Sequence, residues 1–181
     1  MALTVEDGSG IAAADSYVSL ADASTIATAL GLTFAISGDD EALAEQALRR
    51  ATLWLDSTYR SRFPGWRTHY RLQGLEWPRQ GAYDQNVVPQ YIAVDEIPTE
   101  IKKATVIAAV REKASAGSLS PDVTPGQIKK SVSVEGAVSV EYAIGTGGVT
   151  DQRPVVTMID DVLASLLPVE RGPALFGSVT R

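Results

Sequence analysis

Cysteine is absent from the chain and histidine occurs once, at His69, so the residue types that build most metal sites, thiol nucleophiles and catalytic triads are nearly missing. No Gly-x-Ser-x-Gly elbow is present to aim a serine. Gly145-x-Gly147-Gly148 resembles a phosphate loop only in its glycines: it lacks both the Lys-Ser/Thr step and the G-x-G-x-x-G spacing, and Pro154 opens the next helix. The adjacent pairs Asp95-Glu96 and Asp160-Asp161 diverge on a strand or helix instead of converging on one proton or metal, and read as solvated faces. Catalytic, cofactor-binding and metal-ligating residues are therefore expected to be none, and the chain is not expected to be an enzyme.

What remains is charge and aromatic surface. Residues 1–48 hold eight acids and no base, while residues 49–79 hold seven arginines against Asp56 and Glu76. Residues 80–181 return to a mild acidic excess, with nine bases and twelve acids, and the whole chain carries −6. A chain that grips nucleic acid normally shows a basic face across a domain. Here the first reading is that the arginines complement the acids, within the chain or across a subunit boundary. Arg49, Arg60, Arg62 and Arg67 with Asp39 and Asp40 are then the candidate subunit contacts. The other reading is a nucleic-acid-binding module, which requires these arginines and Trp54, Trp66 or Tyr70 to be exposed together as a stacking and charge platform.

These side chains need a scaffold, and 45% hydrophobic with 21% charged residues is the composition of a globular chain. No apolar run approaches the roughly 18 residues of a membrane span, and the N-terminus lacks the basic region of a signal peptide, so the chain is expected to stay, at least at first, in the cell that makes it, with no membrane partner.

The patterning predicts a mainly α fold: a small bundle of about four helices, one β-hairpin over about 128–144, and extended N- and C-terminal arms. Residues 1–18 read as the first arm, 19–168 as the helical domain and 169–181 as the second arm. Ser19, with Asp22 three residues on, caps a helix over about 20–30 that ends at Gly31. Asp39, Asp40 and Glu41 sit at the positive end of a second helix reaching Tyr59. Leu43, Ala47, Ala51, Trp54, Leu55 and Thr58 form its apolar face, and Glu45, Arg49 and Asp56 fall on other faces. Residues 80–96 read as a long loop. Ile97-Pro98-Thr99-Glu100 starts a third helix running to about Ala116, apolar nearly all round and so the most buried. From Ile128 the period changes to two, with valines at even positions and polar residues at odd ones, turning near Glu135-Gly136-Ala137. Pro154 starts a last helix with Val155, Met158, Ile159, Val162, Leu163 and Leu166 inward.

The joint of these elements is Leu72-Gln73-Gly74-Leu75-Glu76-Trp77-Pro78-Arg79. Pro78 pushes Trp77 toward extended geometry, so Leu75 and Trp77 point one way into the core. Gln73 and Arg79 are placed to bond the backbone of neighbouring helices. Leu75, Trp77, Pro78 and Arg79 are accordingly the structural anchor; the alternative puts Trp77 or Arg79 at a subunit contact.

Several separated pieces together resemble a known family: Val5-Glu6-Asp7-Gly8, Ala14-Asp15-Ser16-Tyr17, Ala47-Leu48-Arg49-Arg50-Ala51-Thr52, Leu55-Asp56, Gln73-x-Leu75-x-Trp77-Pro78-Arg79, Ile97-Pro98-x-x-Ile101-x-x-Ala104 and Val138-x-Val140-x-Tyr142. They occur in this order in a family of tailed-bacteriophage proteins labelled DnaT-like single-stranded-DNA-binding, similar in shape and genome position to head-tail connector (adaptor) proteins. The match covers roughly residues 3–145. It departs at Asp15, where asparagine is usual, and around Gly74-Leu75-Glu76. The resemblance implies a virion neck protein, assembled in the host cytoplasm. Its ring of about twelve copies beneath the portal protein would meet a tail-side neck or tail-terminator protein and pass genome DNA through the centre without specific binding.

The tail adds one expectation. Gly172-Pro173 and Gly177 oppose regular structure, yet Leu175, Phe176 and Val179 are too apolar for a solvated end, so residues 169–181 read as a portal-docking arm. Deleting them is expected to leave the melting temperature nearly unchanged and to abolish portal capture in a pull-down; full-affinity capture by the truncated chain would move docking to the helical body or the hairpin.

Overall fold

Twenty residues, Asp40–Tyr59, form α2, and the remaining elements are arranged along it. The computed structural model describes residues 2–85, 90–122, 131–134, 138–141 and 154–168. Before α2 comes α1, Leu20–Ala29, whose N-cap Ser19 accepts from the Asp22 amide. After it come α3, Thr99–Ala114, and α4, Thr157–Leu163. Helix α3 packs along α2, and α1 and α4 also lie against α3. Ile101, Ala104, Thr105, Val106, Ile107, Ala108 and Ala109 are all buried, so the helix that is apolar nearly all round is the centre of the bundle.

Among the described residues the strands form three two-stranded antiparallel ladders. β1 (Trp66–Arg67) pairs with β2 (Arg79–Gln80), and β3 (Tyr83–Asp84) with β4 (Gln90–Tyr91). The stretch read as a loop over 80–96 thus contains two short ladder segments and part of a third element's pairing. β5 (Ser131–Val134) and β6 (Val138–Glu141) pair as the two strands of the hairpin, with Val134 opposite Val138; the turn read at Glu135-Gly136-Ala137 lies outside the described residues.

Residues 2–18 form no helix, only one bridge between Val5 and Ser16, yet they close onto the bundle: Ala14, Tyr17 and Val18 belong to the core. Glu6 organises this segment. Its buried carboxylate accepts from the amides of Gly8, Gly10 and Ile11, so the turn wraps one side chain. Gly8 has φ 106° and sits so close to the Asp95 carbonyl that any Cβ would collide with it.

Several helix-face assignments are corrected. Leu43 is exposed, and Ala44 takes the inward place; Thr58 is only half-buried. Asp56, assigned to an outer face, is buried. The cause is that α2 is covered on a wide arc, by α3 on one side and by the N-terminal segment and the Leu72–Arg79 stretch on the other. The last helix begins at Thr157, not Pro154, so Val156 is buried while Val155 and Met158 are exposed. Gln73 and Arg79 bond loop carbonyls instead of helix backbone: Gln73 donates to the Leu75 and Pro78 carbonyls, and Arg79 to those of Pro64 and Gly65. Asp160 is not a solvated acid either, since it accepts from the Tyr59 hydroxyl at 2.8 Å.

Trp77 is 0% exposed and meets Phe63 edge-on, with ring centroids 5.8 Å apart. Trp77→Ala is expected to cost about 3–5 kcal/mol, the usual range for deleting a buried aromatic. Chemical denaturation monitored by circular dichroism checks this, and wild-type stability would remove Trp77 from its anchoring role.

Candidate functional site

The arginine-rich segment was the candidate interface, and the structure places each member. Arg49 donates to Asp15 at 2.7 Å and lies 3.3 Å from Glu45; Asp15 is also the leading cause that holds the guanidinium's pKa above its ordinary value. Arg50 meets Glu112 at 2.7 Å. Arg60 reaches Glu76 at 2.9 Å, and Arg62 lies 3.6 Å from Asp160 and over the Tyr59 ring. Arg79 is a brace: buried, it donates to Glu76 at 2.9 Å as well as to the two loop carbonyls. Its burial pushes its pKa down, against the opposing pull of Glu76. Asp40 pairs with Lys113 at 3.0 Å, and Asp39 is exposed. Most of the positive charge on residues 49–79 is thus matched by carboxylates of the same chain.

The Leu75, Trp77, Pro78 and Arg79 anchor lies inside the single chain, every member buried. Leu175, Phe176 and Val179, with the rest of residues 169–181, and the Gly145-x-Gly147-Gly148 stretch lie outside the described residues.

Within residues 49–79 two arginines have no carboxylate partner among the described residues, exposed Arg71 and half-buried Arg67, which donates to the Gln73 carbonyl, and they adjoin exposed aromatics in sequence. Trp66, Tyr70 and Leu72 are 55%, 67% and 78% exposed, and Tyr91 in β4 is exposed as well. Trp54, the third member of the required stacking platform, is buried against Tyr59. The platform condition is therefore met in part, by Trp66 and Tyr70 with Arg67 and Arg71. His69 sits at the base of this loop, its imidazole against Gly10 and its amide donating to Gln73. Among the described residues no cluster of three His, Cys, Asp or Glu side chains is placed to hold a metal ion.

What the sequence reading missed is the polar knot beneath the loop. The Tyr17 hydroxyl donates to Asp56 at 2.6 Å and accepts from the amides of Glu76 and Trp77; the Glu76 amide also reaches the second Asp56 oxygen at 3.0 Å. Burial raises the Asp56 pKa to about 6, opposed by these hydrogen bonds and by Arg60, and aided by the charge of Glu76. Burial also raises Tyr17, as does the facing Asp56. A hollow of about 270 Å³ opens beside the knot, lined by Asp15, Arg49, Thr52, Asp56, Arg60 and Glu76. It offers paired charges and a hydroxyl, without a base and nucleophile in a catalytic arrangement.

A family profile described as "Putative DnaT-like ssDNA binding protein" matches residues 1–181. The chain belongs to this family. No curated protein and no solved structure matches it. Family membership agrees with the resemblance drawn from the ordered motifs, whose Leu75-x-Trp77-Pro78-Arg79 element is buried in the single chain.

The Asp56 carboxyl gives a pH dependence. Its folded pKa lies above its unfolded value, so the folded state binds the extra proton, and stability rises as pH falls from above 6 toward 4, by on the order of 3 kcal/mol. Urea melts at several pH values are expected to show this rise, and Asp56→Asn to flatten it while costing about 1–3 kcal/mol at pH 7 through its mismatched amide. An unchanged pH slope in the variant would assign the titration elsewhere.

Proposed function

We propose that the protein is a structural head-tail connector of a bacteriophage virion, working as a ring of identical copies around passing DNA. The observation that carries this reading is the fate of the arginines. Arg49, Arg50, Arg60, Arg62 and Arg79 are engaged by carboxylates of the same chain, and the chain as a whole is acidic at −6. A surface of that kind does not hold phosphate, which suits a channel wall that must release DNA. The ordered motifs resembling adaptor proteins, with Arg71 unpaired among the described residues and Asp39 and Glu41 exposed on the same chain, support head-to-tail assembly.

The second reading is a single-stranded-DNA-binding module. The family description speaks for this one, and so does the exposure of Trp66 and Tyr70 beside Arg67 and Arg71. Base stacking on those rings with phosphate contacts to the two arginines is the chemistry it requires.

Fluorescence anisotropy with a labelled single-stranded oligonucleotide near 0.15 M salt, roughly physiological, separates the two when run beside native mass spectrometry of the protein alone and with portal. The connector reading expects ring-sized species and no oligonucleotide affinity tighter than about 100 μM. Affinity of about 10 μM or tighter, falling steeply with salt and lost in Trp66→Ala or Arg71→Ala, establishes the second reading instead.

A further inference from the structure

The loop after β1 is built to display side chains. Tyr70 has φ 52°, the one positive φ outside glycine among the described residues. That conformation is disfavoured for a bulky residue and persists only where the surroundings dictate it. They do so here: the Thr68 amide donates to the Pro78 carbonyl at 3.2 Å and its hydroxyl to the Val94 carbonyl at 2.9 Å. The His69 amide is held by Gln73 at 3.0 Å, and the Gly74 amide by the Ile11 carbonyl at 3.1 Å. On this fixed base stand Trp66, Tyr70 and Leu72, all exposed, with Arg71, which has no carboxylate partner among the described residues. Exposed Trp, Tyr and Arg on a rigid base, around an apolar Leu, is the composition of a protein contact hot spot.

The loop follows the C-terminal end of α2. At the opposite end, some 30 Å away by the rise of a twenty-residue helix, Ala42 and Leu43 are exposed with Asp39 and Glu41. Asp40 beside them is already tied to Lys113, and Asp39 and Glu41 face solvent without a cation. The acidic end is no site by itself; it is the complement of the loop in both charge and apolar character. The length of α2 keeps the two ends apart within one molecule. We infer that the Trp66–Leu72 loop of one copy docks on the Asp39–Leu43 end of α2 of the next copy, with Arg71 facing the acids and Tyr70 and Leu72 covering Leu43. Unlike patches joined in this way make a heterologous contact, which closes into a ring or runs on as a filament. The inference rests on the connector reading and names the surface by which its copies meet.

The test uses the full chain and sedimentation velocity. Arg71→Glu is expected to leave the protein monomeric, and so is the double variant Asp39→Arg with Glu41→Arg. An equimolar mixture of the two restores assembly, because each reversed patch then meets its reversed complement while the unaltered patches meet each other. Leu72→Ser, which leaves the charges alone, is expected to raise the assembly midpoint concentration about tenfold. Circular dichroism melts confirm that each variant is folded. Variants that assemble like the wild type, or a mixture of folded variants that stays monomeric, overturn the inference while leaving the connector reading standing. A wild-type chain that is monomeric at every concentration overturns both. Loss of oligonucleotide binding in Arg71→Glu with assembly unchanged overturns it in favour of nucleic acid as the occupant of the loop.

Discussion

The Asp56 carboxylate joins three parts of the chain that share no local sequence. From α2 it accepts the Tyr17 hydroxyl of the N-terminal segment and the Glu76 amide of the central stretch, and Tyr17 accepts the Glu76 and Trp77 amides in turn. Four hydrogen-bonding groups that burial would leave unpaired thus satisfy one another. Once they do, Trp77 is set against Phe63, and Arg79 is brought onto the carbonyls of Pro64 and Gly65. Among the helices α2 is covered mainly by α3, with α1 touching it; the knot supplies the further cover.

Position of the exposed loop follows from that cover. Gln73 and Thr68 hang the Trp66–Leu72 turn from the Pro78 carbonyl, and Gly10 and Ile11 close it from the other side. The same buried network therefore fixes the geometry of the most solvent-exposed aromatics. A rigid display lowers the ordering cost of any contact made there, whether with protein or with a nucleic-acid strand. Charge around the display is uneven: Arg60 is paired with Glu76 and Arg62 with Asp160, while Arg71 in the loop has no carboxylate partner among the described residues.

Glu112 shows the same economy at the other end of the bundle. One buried carboxylate receives Arg50 and the amides of Gly117 and Leu119, so it both pairs a cation and closes the turn after α3. Lys113 beside it bonds the Ala35 carbonyl and Asp40, tying the end of α3 to the start of α2. Buried and half-buried ion pairs of this kind hold register between elements more than they add net stability.

Local signals sufficed for whatever depends on neighbours in sequence. Ser19 and Asp22 marked the start of α1, Pro98 and Glu100 that of α3, and the alternation of valines marked the two strands of the hairpin. Trp77 was legible as an anchor because a proline fixes its geometry and a large indole must go inside. Asp56 and Glu76 were not legible, since a carboxylate on a helix or loop is ordinarily a solvated residue and nothing in the local sequence shows that Tyr17 will reach Asp56 or that Arg60 will reach Glu76. Leu43 and Val155 failed in the opposite sense: helical period puts them on an apolar stripe, but burial depends on which stretch of that stripe another element reaches. Helices, hairpin strands and the shortage of catalytic residue types were readable from local pattern and composition. Which charges are neutralised and which aromatics stay exposed was not, because both depend on contacts between segments as far apart as residues 17, 56 and 76.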